Sequence, residues 1–325
     1  MNRTAIVTAA ALLACGAPWL PTALAQKPTT AAANPAPAPP KADPIDELVA
    51  AMQAAEGRLK SIAIRMSTSG VLPGGLSVAT RGALHVLRGA QASIHAEIEA
   101  TFDDGIRGTS ESVQTADGIL WYESNPAFGE VFVQLDKSIV ADLEWAGEVL
   151  QREDLPGMAD RRAMAPLGST MVSGLKRQFE LAVGERKERN GEAGTWLAGK
   201  RKPGVDVKDP ELPIADAVEL FVRDKDHALL EVRQLQGEQP IQTLVVEQLD
   251  VDVELPAKTF EISGHGQTLR SVEQYQPLWD LIKQALARAE AKTAKEADEK
   301  NAKLPPDTPE EQRVQPEVRP SKRTK

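Results

Sequence analysis

Residues 91–102, QASIHAEIEATF, alternate with a period of two. Ile94, Ala96, Ile98, Ala100 and Phe102 face one way, and His95, Glu97, Glu99 and Thr101 the other. A strand that is apolar on one side and polar on the other belongs to an antiparallel sheet with one covered face. This constrains the chain more than any other stretch. Something apolar must lie on the Ile94 side, and the same demand recurs along the sequence.

Strand-like segments precede and follow it: IAIRMS, ATRGALHVLR, IRGTSESVQTA, GILWYES and EVFVQL, with the turn DDG at residues 103–105. A second series runs FELAVGER, GTWLAGKR, AVELFVRD, ALLEVRQLQ, QTLVVEQLDVDV and a closing KTFEIS that ends at Ser263. Helical spacing appears in three places. Asp43-Pro44 is a helix opening, an N-cap followed by proline at the first helical position. Ile45, Leu48, Val49, Met52, Ala55 and Leu59 then share one face. Ile139, Val140, Leu143, Ala146, Val149 and Leu150 form a second stripe, with a further helical piece over residues 167–179. Leu278, Leu281, Ile282, Ala285 and Leu286 form a short third stripe, beside Trp279. The order is helix, about six strands, helices, about six strands, tail, which reads as an α+β antiparallel sheet. So few helices cover one concave face of a single curved sheet, not both faces of a sandwich.

The N-terminus reads as an export signal. Arg3 precedes an apolar run over residues 4–14, too short for a membrane span, which needs roughly 20 residues. Two processing sites compete. LLAC, ending at Cys15, resembles a lipobox, and ALA, ending at Ala25, resembles an ordinary signal-peptidase site. Pro18 and Pro21 break the run just before ALA, and the residues after Cys15 are apolar where a lipoprotein tether is polar. Cleavage after Ala25 is therefore expected, giving a soluble periplasmic protein, with lipidation of Cys15 as the alternative. Cys15 is the single cysteine, so cleavage after Ala25 leaves no disulfide and no thiolate ligand. The expected organisation is a signal peptide over 1–25, a Pro/Ala-rich linker over 26–42, a folded domain over 43–263, a charged helix over 264–300 and a disordered tail over 301–325.

A net charge of −9 argues against a nucleic-acid partner. No later segment is apolar enough to make the chain integral to a membrane. G-x-S-x-G, H-E-x-x-H and P-loop patterns are absent from the sequence, so no catalytic residue, cofactor or metal is assigned. His85 and His95 can meet across neighbouring strands and begin a metal site, but the plainer reading puts both on the solvated face. Asp250, Asp252 and Glu254 read the same way, as a wet strand face. Trp121 and Tyr122 are adjacent in a strand and so point to opposite faces.

Three landmarks occur in a fixed order: GALHVLRGAQAS, with Gly82 and Arg88; DGILWYESN at residues 117–125; and TLVVEQLDVDVELPAKTFEIS, with Phe260. In this order, over roughly residues 44–263, the chain resembles the outer-membrane lipoprotein carrier family, LolA and LolB, and their relatives. The resemblance implies an unclosed antiparallel β half-barrel of about 10–12 strands, with a lid of helices over a hydrophobic cavity. It implies a non-catalytic binder or carrier of a lipid or of a lipoprotein's acyl chains. The alternative it offers is a sensor or interaction module like the periplasmic regulators of envelope stress, with an envelope protein as partner.

On that resemblance the cavity would be lined by Met52, Ile94, Ile98, Trp121, Leu143, Leu220, Val232 and Val246. Met158, Met164 and Met171 would suit the lid, since methionine repacks around varied ligands; the plainer reading makes them core or loop fillers. Arg88 would latch the lid. Ser93 stands near where the family places a second arginine, and Gly89 where it places a proline.

Overall fold

The computed structural model describes residues 43–71, 75–89, 92–103, 105–126, 129–150, 168–204, 214–305 and 308–323. Helix α1 (Pro44–Glu56) starts where Asp43 accepts a hydrogen bond from the Ile45 amide at 2.9 Å, and it buries Ile45, Val49 and Met52. Six strands follow: β1 (Ser61–Val71), β2 (Ser77–Leu87), β3 (Ser93–Phe102), β4 (Arg107–Thr115), β5 (Gly118–Asn125) and β6 (Gly129–Asp136). Asp136 then caps α2 (Lys137–Val149) through the amides of Ser138 and Ile139. Those bonds and the Ser138 hydroxyl hold its carboxyl below the usual aspartate range.

After α3 (Ser169–Gln178) come β7 (Phe179–Arg189), β8 (Glu192–Arg201), β9 (Ala217–Arg223), β10 (Leu229–Gln236) and β11 (Gln239–Val251). Asn190-Gly191, with φ of 51° and 81°, makes the β7–β8 turn, the backbone shape that suits a two-residue hairpin.

The strands form one 12-stranded sheet in the order β12-β6-β5-β4-β3-β2-β1-β11-β10-β9-β8-β7. Every pair is antiparallel except the last addition. The two-residue strand β12 (Arg270–Ser271) lies parallel to β6, with Arg270 opposite Val133. β12 and β7 are the two edges, so the sheet is unclosed. The β7 edge carries Glu185, Arg186, Lys187, Glu188 and Arg189, charges that discourage pairing with a second sheet.

The period-two reading holds across the sheet. Ile94, Ala96 and Ile98 face inward together with Leu84 and Val86 of β2 and Trp121 of β5. Helices cover this inner face at its two ends. α1 and α3 pack with Phe179, Leu197, Leu220 and Val232. α2 and α4 (Gln276–Asn301) pack with Trp121, Val133 and Leu135.

Two expectations for the sheet need correction. KTFEIS does not close the sheet as a strand; Ala257–Phe260 is a 3-10 turn. The sheet does not end at Ser263, because β12 lies beyond it and Val272 is buried in the core with α4. A two-residue strand has no periodicity for a sequence reading to find.

The described part of the tail, expected to be disordered on composition, folds back onto the domain. Asn301 exchanges two hydrogen bonds with the Val314 backbone, at 2.9 and 2.8 Å. Ser321, in α5 (Pro320–Arg323), donates its amide and hydroxyl to the buried Asp142 of α2 at 3.0 and 2.7 Å. Arg319 pairs with Asp142 and with Glu290, and Lys322 with Glu290. Charge-assisted bonds at a buried carboxylate hold a segment that composition alone would leave in solvent. Asp142→Ala is expected to release it. Limited proteolysis should then cut between residues 302 and 319 faster than in the parent chain, with far-UV dichroism nearly unchanged.

Candidate functional site

Between the two helical covers the inner face carries a third apolar cluster. It comprises Ile62 and Ile64 of β1, Leu84 and Val86 of β2, and Ile94 and Ala96 of β3, flanked by Leu59, Met66, Val246 and Leu249. Among the described residues, no helical side chain belongs to it. Ile98 and Ala100 continue the same row along β3.

The eight residues expected around one cavity therefore fall into separate groups. Met52, Leu220 and Val232 pack under α1 and α3; Trp121 and Leu143 lie in the cluster of α2 and α4; Ile94 and Val246 lie in the strip between. Trp121 is fixed there by its indole N–H, which donates to Ser110 Oγ at 2.9 Å.

The α1–α3 cover is held by a chain of polar contacts. Arg88, just past β2, donates to the carbonyls of Glu56, the last residue of α1, and of Leu59 in the turn that follows it. The Glu56 side chain in turn caps α3. It accepts from the amides of Gly168 and Ser169, both at 2.9 Å, and from the Ser169 hydroxyl at 2.5 Å. Lys176 of α3 reaches back to Asp43 and Asp46 at the start of α1. Burial works against the Lys176 charge, but those two hydrogen bonds outweigh it and hold the amine above the usual lysine range. Arg88, expected to latch a lid, thus grips a helix directly.

Gly168 has no room for a side chain, because a Cβ there would meet the Met52 methyl at 2.6 Å. Met171 lies on α3 against the same cluster. Met158, Met164 and Cys15 lie outside the described residues.

The opposite face differs from its expected solvated character. After β11 the chain crosses it to reach β12. The crossing starts at Asp252, whose carboxylate accepts from the Lys60 amide at 2.7 Å and whose own amide donates to the Ser61 carbonyl. Asp252 therefore anchors a turn and does not line a wet strand face with Asp250.

The crossing segment places its 3-10 turn against β3, and farther on the His265 ring lies tilted against Tyr122 with centroids 4.5 Å apart. His95 is consequently only 5% exposed, which corrects the expectation that it faces water. Its ring stacks on His85 at 5.9 Å. Burial, with the neighbouring His95 adding to it, pushes the His85 imidazole below the usual histidine range.

Gly264 holds the crossing down. It has a φ of 62°, and a Cβ there would run into the Phe132 ring. Gly264→Ala is expected to lower stability by roughly 1–3 kcal/mol through strain and overpacking. A drop in the urea midpoint at constant slope measures it. Sequence reasoning passed over the crossing; the GHG at residues 264–266 was its one local sign.

An open groove of about 540 Å³ also lies on this face, lined by Ser67, Ser69, Arg81, Glu99, Thr101 and Arg107 among others. It is polar, unlike the strip on the inner face.

No protein-family model matches the chain, and no curated protein does. Several solved structures are similar to it. An uncharacterised conserved protein from Thermus thermophilus is 10% identical with a TM-score of 0.35, covering 70% of this chain and 98% of that one. A putative outer membrane lipoprotein-sorting protein domain from Vibrio parahaemolyticus is 11% identical with a TM-score of 0.24, covering 66% and 97%. A LolA superfamily protein from Nitrosomonas europaea is 10% identical with a TM-score of 0.25, covering 68% and 99%. Structures of LolA and lipoprotein-sorting type are thus among those the chain resembles. Among the described residues, no helix is long and apolar enough to cross a membrane.

Proposed function

We propose that this protein is a non-catalytic binder of a hydrophobic ligand, a lipid or the acyl chains of a lipoprotein, held on the inner face of the sheet. One observation carries the reading. The strip of Ile62, Ile64, Leu84, Val86, Ile94 and Ala96 is apolar, lies on the inner face between two helical covers and is at most 9% exposed at each residue, so a bound chain would take the place of whatever now covers it. An acyl chain laid along such a strip gains about 0.8 kcal/mol for each CH₂ taken from water, and needs no reactive group. Met52, fully buried, and Met171, partly buried, belong to the α1–α3 cover, where adaptable side chains can repack if the cover shifts. On this reading Arg88 and Glu56 set how firmly that cover is held.

We further propose that the chain works in the periplasm, exported with residues 1–25 removed, and that Cys15 marks the lipid-anchored alternative. The intact mass of protein purified from its native host distinguishes the two.

The binding test is a titration of delipidated protein with a fluorescent fatty acid. Saturable binding is expected, and Ala96→Phe, which fills the strip, should weaken it while the circular dichroism spectrum stays the same. Folded parent protein that takes up neither the fatty acid nor a lipidated peptide would overturn the proposal.

A further inference from the structure

Four metal-competent side chains converge on the outer face from three separate parts of the chain. His95 and Glu97 lie two apart on β3, on the same side of the sheet. Glu111 of β4 stands directly opposite Glu97 in the ladder. His265 arrives from the segment that crosses after β11. The ligand atoms of His95, Glu97 and Glu111 all lie within 4.8 Å of one another. Glu111 spans the two imidazoles: one carboxylate oxygen is 3.0 Å from His95 Nε2, and the other is 3.0 Å from His265 Nε2. Glu97 is 3.5 Å from His95 Nε2.

We propose that this cluster is a binding site for a divalent first-row transition metal of the zinc type, with His95, Glu97 and Glu111 as ligands and the exposed His265, now on the far oxygen of Glu111, turning in as the fourth. The donor set is two imidazole nitrogens and two carboxylates with no thiolate, which suits zinc and its neighbours and not a soft cation.

Two further features point to a cation. Glu97 and Glu111 are like charges placed directly across a strand pair on one face, an arrangement that destabilises a sheet unless a positive charge lies between them. His95 is buried with its Nε2 turned to the two carboxylates, at 3.0 Å from Glu111 and 3.5 Å from Glu97, so a nitrogen donor is held at the cluster away from bulk solvent.

The backbone delivers His265 deliberately. His265 sits at φ 47° between Gly264 and Gly266, its amide bonded to Ser263 Oγ at 3.2 Å, and its ring rests on Tyr122. Each imidazole would bind the metal through Nε2 as the neutral Nδ1–H tautomer: a neutral ring with its proton on Nε2 passes it to Nδ1 by way of solvent, and a doubly protonated ring releases its Nε2 proton to solvent. The bound ion would staple the crossing segment to β3 and β4.

The test is calorimetric titration of tag-free, full-length protein with zinc chloride after chelator treatment, repeated with cobalt(II) for its visible spectrum. Saturable, stoichiometric uptake is expected, with a rise in melting temperature on loading. Glu111→Gln and the exposed His265→Ala should each weaken binding by more than the ~100-fold that loss of a mere outer-shell partner costs. Both variants are checked for folding by circular dichroism. His227→Ala, in the β9–β10 turn, should bind as the parent does. Absence of uptake by folded parent protein overturns the proposal, and so does unchanged affinity in both ligand variants. That result would leave His95, Glu111 and His265 as a hydrogen-bonded pin.

Discussion

Replacing Glu56 with alanine is expected to destabilise the fold by about 3 kcal/mol, since hydrogen bonds to a charged group contribute roughly 1.5–3 kcal/mol each. The carboxylate accepts from two amides and one hydroxyl at the start of α3, and Ser169 there is fully buried. Gly168 and Ser169 are buried, so a replacement acceptor has to enter the space the carboxylate leaves. Glu56→Gln keeps one acceptor oxygen and should cost less. Urea unfolding at constant slope gives the difference. The same substitution should loosen α3 from α1, so amide exchange should quicken in α3 well before it does in β8 and β9.

Leu220→Ala should cost about 2–5 kcal/mol, the range for emptying a packed aliphatic site. Leu220 is fully buried between α1, α3 and the inner face of β9, among Met52, Phe179, Leu197 and Val232. Met52 comes from α1, Phe179, Leu197 and Val232 come from three strands, and Val172 and Leu175 of α3 belong to the same cluster, so the hole cannot close by a shift of one element. Val183→Ala on the exposed β7 edge should stay within about 0.5 kcal/mol of the parent, because little surface is withdrawn from water there. A comparable loss at both positions would mean that Leu220 lines open space and is not packed.

What the sequence reveals about this protein follows the range of the forces involved. Alternation in β3 is a local signal, and it assigned Ile94, Ala96 and Ile98 to one face and His95 to the other correctly. Asp43-Pro44 marked the start of α1 for the same reason. Trp121 and Tyr122 were separated to opposite faces by parity alone. The division of the inner face into three clusters was not legible, because it depends on where α2, α3 and α4 come to rest. Nor was the burial of His95, since the segment that covers it carries no alternation. The docking of the tail was hidden as well: Asp142 and Ser321 lie 179 positions apart. Arg88 was singled out as a latch through resemblance, while its partners, carbonyls at the end of α1 and in the turn that follows it, have no sequence signature.

The central claim is that the apolar strip between the helical covers holds a hydrophobic chain. It is tested most directly by photo-crosslinking delipidated full-length protein with a diazirine-bearing fatty acid, followed by peptide mapping. The account predicts adducts on the inward residues of β1, β2, β3 and β11, among them Ile64, Ile94, Ile98 and Val246, and their loss when unlabelled fatty acid competes. Adducts confined to the polar groove of the opposite face, or scattered labelling that competitor does not reduce, would contradict it.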